Sequence, residues 1–450
     1  MLSVLIHTLG CKLNQLESEA ITSAFLNSGF ALTNSDPSVI VVNTCTVTSK
    51  ADQKARRVIR KALRDYPDSC VIVTGCYAQL NREDLYKLET GRGGRLFVLK
   101  GMEKAGVLEL PGYLDEKKDI SGALKLLCEN KIPDVGEREN GEGLIRTFQF
   151  NPERFSGRTR GFLKIQDGCD KHCTYCRIRL ARGNSVSLDA EQALARLRIL
   201  EKNHAEAVLT GVNISQYYDK TRGVNLASLL EYLLSGTEKI ALRLSSLAPD
   251  SIDENFAGVL SHKRIRPHFH LSIQSGSKKI LEKMGRAYSA QTVEKAAALL
   301  RSVKDDPFLA CDIITGFPGE TEAEFQETYE LCKKTGFAWI HVFPYSKRPG
   351  TPACSFANMV REGEVTRRVQ MLACLAQAGR ADYARRWLGR EVEVLVEKGG
   401  GLNSCRGISE NYLKLLVKYN GEKAPPPGTV LRCRITEEKV GNFDAAAVCN

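Results

Sequence analysis

Three short apolar runs near the start of the chain each lead to a cysteine, and the cysteines recur at the spacing of a strand–helix–strand repeat. Leu2 to Leu9 precedes Cys11, Val39 to Val42 precedes Cys45, and Val71 to Thr74 precedes Cys76, so the cysteines stand 34 and 31 residues apart. A βαβ unit needs roughly 30 or more residues. Between the runs lie helical patterns: Ile21, Ala24, Phe25 and Leu26 before a stop at Gly29, then a strongly basic stretch, Ser49 to Asp65. In that stretch Val58, Ile59, Ala62 and Leu63 share one side, with Lys54, Arg56, Arg57, Arg60, Lys61 and Arg64 around the rest. Such alternation dictates a parallel sheet, because each crossover needs a helix to return the chain. Neighbouring strands therefore deliver Cys11, Cys45 and Cys76 to the carboxyl edge, where open α/β sheets build their sites. Core thiols belong inside strands, whereas these follow Gly10, Thr44 and Gly75 just beyond them, which favours ligands over packing.

A second constellation is local. Gly168 to Cys176 reads GCDKHCTYC, a C-x3-C-x2-C run after an apolar strand, Gly161 to Ile165. Thiolates of Cys169, Cys173 and Cys176 can hold three irons of a cubane cluster and leave the fourth iron open for chemistry. A structural zinc site would want a fourth ligand, and His172, squeezed inside the run, reads as solvent-facing instead. The 15 cysteines come without a basic n-region, a cleavage site or a run of about 18 apolar residues, which points to a reducing, cytoplasmic setting with no membrane span. A 43% hydrophobic and 26% charged composition excludes a disordered or fibrous chain, and a net charge of +11 permits a polyanionic partner without requiring one.

Residues 91 to 160, with GRGGR and GERENGEG, read as loops and a connector. Strand and helix then alternate again. Ala207 to Thr210, Ile240 to Leu244, His268 to Ile273, Asp312 to Ile314 and Trp339 to Phe343 are strands, with helices such as Asp189 to Asn203, Gln291 to Val303 and Glu322 to Thr335 between. With the strand before Cys169 they make six units, a partial (β/α)6 barrel whose carboxyl-end loops form the working face. An arginine-rich helix, Val365 to Leu388, leads to Glu391 to Val396, Tyr412 to Val417 and Thr429 to Ile435, the strands of a small antiparallel β domain. The chain is thus α/β overall, with expected domains at 1–145, 146–388 and 389–450.

These motifs converge on a family. QDGCDKHCTYC…ARG, LTGVN, RLSS, HLSIQSGS, DIITGFPGET and HVFPYSKRPGTPA resemble those of the radical S-adenosylmethionine (SAM) methylthiotransferases, nearly from end to end. The resemblance implies two [4Fe-4S] clusters: one on Cys169, Cys173 and Cys176, and one on Cys11 (TLGCKLNQLESEA), Cys45 (NTCTVT) and Cys76 (TGCYAQ). It also implies a C-terminal TRAM domain that holds RNA. In the implied reaction the open iron chelates SAM, a 5′-deoxyadenosyl radical activates an unreactive C2 position, and the second cluster carries an exogenous sulfur, so that two SAM molecules are consumed. Gln274 and Ser275, after a barrel strand, are expected SAM contacts.

The stretch TLGCKLNQLESE resembles the branch acting on threonylcarbamoyladenosine next to the tRNA anticodon. The isopentenyladenosine branch and the branch acting on a ribosomal-protein aspartate read differently after the first cysteine. Expected partners are the tRNA anticodon stem-loop and an electron donor such as flavodoxin or ferredoxin. One departure is Arg177-Ile178-Arg179-Leu180, where many members have an Ile-Ile-Pro-like stretch; the ligands are untouched, so the difference bears on local substrate or SAM contacts. Two other readings compete: the same chemistry on isopentenyladenosine or a ribosomal protein, and a non-enzymatic two-cluster carrier or RNA-binding protein. A carrier needs no six-unit barrel, and ferredoxins close each cluster with a fourth cysteine.

Overall fold

The computed structural model describes residues 2–89, 93–100, 103–117, 119–128, 148–152, 155, 158–399, 403–419, 423–438 and 441–449. Five parallel strands, β1 (Ser3–Thr8), β2 (Ala31–Leu32), β3 (Val39–Thr44), β4 (Cys70–Gly75) and β5 (Leu96–Val98), form the first sheet in the order β2-β1-β3-β4-β5. Period-two alternation divides β3 between two cores. Val39 and Val41 face Leu16, Ile21 and Phe25 of α1 (Lys12–Asn27), while Ile40 and Val42 face Ala55, Ile59 and Ala62 of α2 (Ser49–Asp65). Thr48 caps α2 by accepting from the Ala51 N–H, the arrangement that satisfies an orphan donor of the first turn.

The expected connector is only partly loop. Two helices, α3 (Gly106–Lys117) and α4 (Ile120–Cys128), lie within it. Gly106, Pro111, Gly112 and Gly122 look like breakers, but Val107, Leu110, Leu114, Leu124 and Leu127 are fully buried on the α1 side of the sheet, and that burial overrides weak local propensity. The GERENGEG segment lies outside the described residues.

The next six strands are parallel and neighbour one another in chain order: β6 (Gly161–Lys164), β7 (Glu206–Thr210), β8 (Ala241–Leu244), β9 (His268–Gln274), β10 (Phe308–Thr315) and β11 (Trp339–Pro344). A Leu247–Leu271 bridge joins the two three-stranded halves into one open barrel. The exit helix α5 (Glu362–Arg386) buries Leu372 and Ala376 in the barrel core and Tyr383 and Ala384 in the core of the final region.

That region is a closed five-stranded barrel of β12 (Glu391–Gly399), β13 (Ser404–Ser409), β14 (Lys414–Lys418), β15 (Val430–Glu438) and β16 (Ala445–Cys449). Strands β13 and β16 were not expected from their sequences, SCRGIS and AAAVC, which are poor in large β-formers. The pairing is antiparallel except between β14 and β16, which run parallel to close the ring. Among the described residues, no helix is long and apolar enough to cross a membrane.

Candidate functional site

Cys11, Cys45 and Cys76 come together beyond β1, β3 and β4. Cys11 caps α1, and Cys76 opens a short helix, Cys76–Leu80. Two glycines allow this approach. Gly10 has φ +107°, and a Cβ there would lie 2.4 Å from the Cys45 Cβ; Gly75 has φ +96°, and its Cβ would meet the Thr44 carbonyl at 2.3 Å. Both the backbone angle and the space therefore exclude a side chain. Asn14 fastens the strand ends by donating to the carbonyls of Leu9 (2.7 Å) and Thr44 (2.9 Å).

Cys169, Cys173 and Cys176 occupy one loop after β6. The Cys176 N–H donates to the Cys173 carbonyl at 3.1 Å, the Thr174 N–H to the Met284 carbonyl at 3.0 Å, and the Ile178 N–H reaches the Cys176 Sγ at 3.4 Å. His172 is exposed, and both its ring nitrogens lie within 2.9 Å of the Arg179 guanidinium, which leaves it on the solvent side of the loop.

Within each set the sulfurs face one another. Burial pushes the Cys45 thiol up to about 11, with Cys11 and Cys76 adding to the rise; burial does the same for Cys176, again to about 11, with Cys173 and Cys169 adding to it. Among the described residues, no group of three or more His, Cys, Asp or Glu side chains is placed to hold a lone metal ion. What each set offers is three thiols, the donor chemistry that iron–sulfur clusters take.

The two sets are one short helix apart. Ile178–Arg182 follows Cys176, and Arg182 at its end donates to the Cys76 Sγ at 3.2 Å. The same guanidinium reaches Asn14 Oδ1 (3.0 Å), Glu17 (3.1 Å) and Asp167 (3.1 Å), with Lys104 on Glu17 and Lys164 on Asp167. Burial alone would raise the Glu17 carboxyl, but Arg182, Lys104 and Lys164 outweigh it and bring it to about 2. A second strut is the buried Arg348, which donates to Thr46 and, at 2.6 Å, to Asp52, tying the loop after β11 to the segment beyond Cys45.

A cavity of about 810 Å³ opens beside Cys11, Cys45 and Cys76, runs into the lumen of the open barrel and ends against Tyr412 of the C-terminal barrel. Inside it Ser246 Oγ lies 2.7 Å from His270 Nδ1, and His270 Nε2 lies 3.1 Å from Asp312. Tyr412, on a turn with φ +71°, stacks on His268 at a centroid distance of 3.9 Å.

Residues 163–332 match the family model described as the Radical SAM superfamily, and residues 3–92 match one described as Uncharacterized protein family UPF0004, so each cysteine set falls inside one match. The chain is 38% identical to a threonylcarbamoyladenosine tRNA methylthiotransferase MtaB from Treponema pallidum, over 97% of this chain and 99% of that protein. Identity to the protein of the same name from Bacillus subtilis is 34%, over 93% and 91%. The chain belongs to the MtaB family of radical SAM methylthiotransferases. An enzyme of this family uses an iron–sulfur cluster and SAM. Among solved structures, the radical SAM methyltransferase TsrM from Kitasatospora setae shares the fold, with a TM-score of 0.52 and 15% identity over 78% of this chain and 76% of that one.

On this MtaB-family frame the remaining expected residues can be placed. Gln274 ends β9 at φ +65°, a strained angle for a side chain, and is 8% exposed. Ser275 is fully buried, with its hydroxyl 3.1 Å from Thr328 Oγ1. Of the departure residues, Arg179 covers His172, and Arg177 is buried with its Nε unpartnered, held below its usual value first by burial and then by Arg348. Sequence reasoning missed the lumen. Its signal is present in HFHLSIQ, where His268, His270 and Ser272 alternate along β9 and all line the cavity.

Proposed function

We propose that the protein adds a methylthio group to C2 of N6-threonylcarbamoyladenosine beside the tRNA anticodon, using two [4Fe-4S] clusters. Cys169, Cys173 and Cys176 would hold the cluster that binds SAM, and Cys11, Cys45 and Cys76 the other. When bound, these groups supply one-electron cleavage of SAM and the sulfur to be transferred. The carrying observation is that Cys11, Cys45 and Cys76 line a cavity large enough for a modified base, and that Ile178 and Arg182, on the short helix that follows Cys176, line the same cavity.

The chain's own residues shape that space. Gly10 and Gly75 let the strand-end thiols meet, and Arg182 fixes their distance from the barrel edge. The barrel wall shields a flipped base from water, and the Ser246–His270–Asp312 chain offers it a fixed polar edge. Gln274 and Ser275, at the end of β9, remain the proposed SAM-side residues, and a flavodoxin or ferredoxin is the proposed electron donor. Lys54, Arg57, Arg60, Lys61 and Arg64 are exposed along α2, a surface suited to phosphates.

Anaerobic enzyme given dithionite, sulfide and SAM should convert tRNA bearing threonylcarbamoyladenosine to its methylthio form, read by nucleoside mass spectrometry. Conversion of isopentenyladenosine alone would overturn the substrate assignment, and modification of a ribosomal protein alone would overturn the RNA assignment.

A further inference from the structure

Four lysines and arginines line the cavity: Lys12, Arg182, Arg380 and Lys414. Two of them are committed. Arg182 is held by Glu17 and Asp167, and Arg380 makes a two-pronged pair with Asp444 at 2.5 and 2.6 Å. The side chains of Lys12 and Lys414 have no hydrogen bond or ion pair among the described residues. The single lining carboxylate, Asp312, sits against His270. Among the described lining residues, Lys12 and Lys414 therefore stand without a paired carboxylate, in a space where charge interacts strongly.

Lys12 is the residue after Cys11; burial brings its ammonium below the usual value, while the nearby Tyr412 works the other way. Its charge is felt across the lumen. Burial would raise the Tyr412 phenol, but Lys12, Arg160 and Arg243 outweigh it and the phenol lies below its usual value. His268 is driven well below its ordinary value, first by burial, then by Arg243 and Lys12. Lys12 is also the first residue of α1, a 16-residue helix with no acidic residue in its first turn and no side-chain cap, so the positive end of the helix opens on the same space.

A substrate base with a neutral, apolar N6 substituent gains nothing from this arrangement. A threonylcarbamoyl substituent ends in a carboxylate. We propose that Lys12, supported by Lys414, is the cationic subsite that takes the carboxylate of the N6 substituent, and so is a specificity-determining residue for the base. This rests on the proposed function and deepens it.

The test uses the full-length, anaerobically reconstituted protein and two synthetic anticodon stem-loop RNAs. One carries threonylcarbamoyladenosine; the other is identical except that the threonyl carboxylate is a primary amide. Binding is read by fluorescence anisotropy, with iron content measured for every variant. A charge-assisted contact in this setting predicts that the wild type binds the carboxylate loop about 10- to 100-fold more tightly than the amide loop. Lys12→Met should bring the ratio close to one, and Lys12→Arg should retain part of it.

A wild-type ratio near one overturns the subsite without any variant. So does a Lys12→Met protein that keeps the ratio, or one that weakens both loops equally, which would make Lys12 a phosphate contact. Methylthiolation of threonylcarbamoyladenosine by a wild type that shows no carboxylate preference would sink the subsite and leave the proposed function standing. Activity on isopentenyladenosine alone would sink both.

Discussion

The two cysteine sets are assembled by opposite means. Cys169, Cys173 and Cys176 lie within eight residues of sequence, and a single loop after one strand presents them. Cys11, Cys45 and Cys76 meet only after a parallel sheet has aligned three strand ends, two glycines have taken left-handed angles and Arg182 has reached across from the barrel. The first set is a local property of the chain; the second is a property of its tertiary structure. Damage to packing should therefore reach the second long before the first.

The largest effect separates the sets outright. Wild-type protein reconstituted without oxygen should hold about eight irons, and Cys169→Ala/Cys173→Ala/Cys176→Ala or Cys11→Ala/Cys45→Ala/Cys76→Ala should each hold about half as many. Only the first triple variant should lose SAM cleavage, measured as 5′-deoxyadenosine release. Zinc in place of iron, or an N-terminal triple variant with unchanged iron, would break the comparison.

Arg182→Met comes next. It removes the guanidinium shared by Glu17 and Asp167, which are 3% and 6% exposed as side chains, leaving each carboxylate to its lysine alone and Asn14 Oδ1 and the Cys76 Sγ without that donor. Several charge-assisted hydrogen bonds go at once, so the expected loss is about 3–5 kcal/mol, read from urea unfolding. A loss under about 1 kcal/mol, the scale of an exposed pair, would show the network to be solvated.

Gly10→Ala sharpens the contrast at smaller cost. The residue must sit at φ +107° with its Cβ 2.4 Å from that of Cys45. Strain of about 1–3 kcal/mol is expected, together with iron loss confined to the N-terminal set and SAM cleavage retained. Equal iron loss at both sets would mean that the two are not structurally independent.

The smallest effect lies on the surface. Arg57→Gln/Lys61→Gln should lower the slope of log affinity for tRNA against log salt by about two, roughly one for each phosphate left without its cation. An unchanged slope in filter binding would remove α2 from the RNA interface.

Legibility followed locality. Helix α2 is found at Ser49–Asp65, as its pattern implies, because the Thr48 cap and the stripe of Ala55, Ile59 and Ala62 are both written in adjacent residues. Glu322–Thr335 is equally plain, with a Thr321–Glu324 capping box at its start and Gly336 at its end. Helices α3 and α4 were not, since their glycines and proline are outvoted by burial that only the folded sheet provides. At the site, glycine–cysteine spacing exposed the sulfur sets, whereas Ser246 follows β8 and His270 and Asp312 lie on β9 and β10, and the three mean nothing until the barrel curves. Lys12 was visible as a letter in a motif; its place in the lining of the lumen was not.

Tyr412 has a consequence for engineering. It belongs to the C-terminal barrel, yet its ring stacks on His268 and lines the cavity between the barrel strands. Arg266 reinforces the seam by pairing with Glu393 of β12 at 2.7 Å. The last sixty or so residues are therefore a floor to the cavity. A chimaera that exchanges this region for that of a distant homologue would replace that floor, and its substrate range would shift even where its affinity for RNA did not.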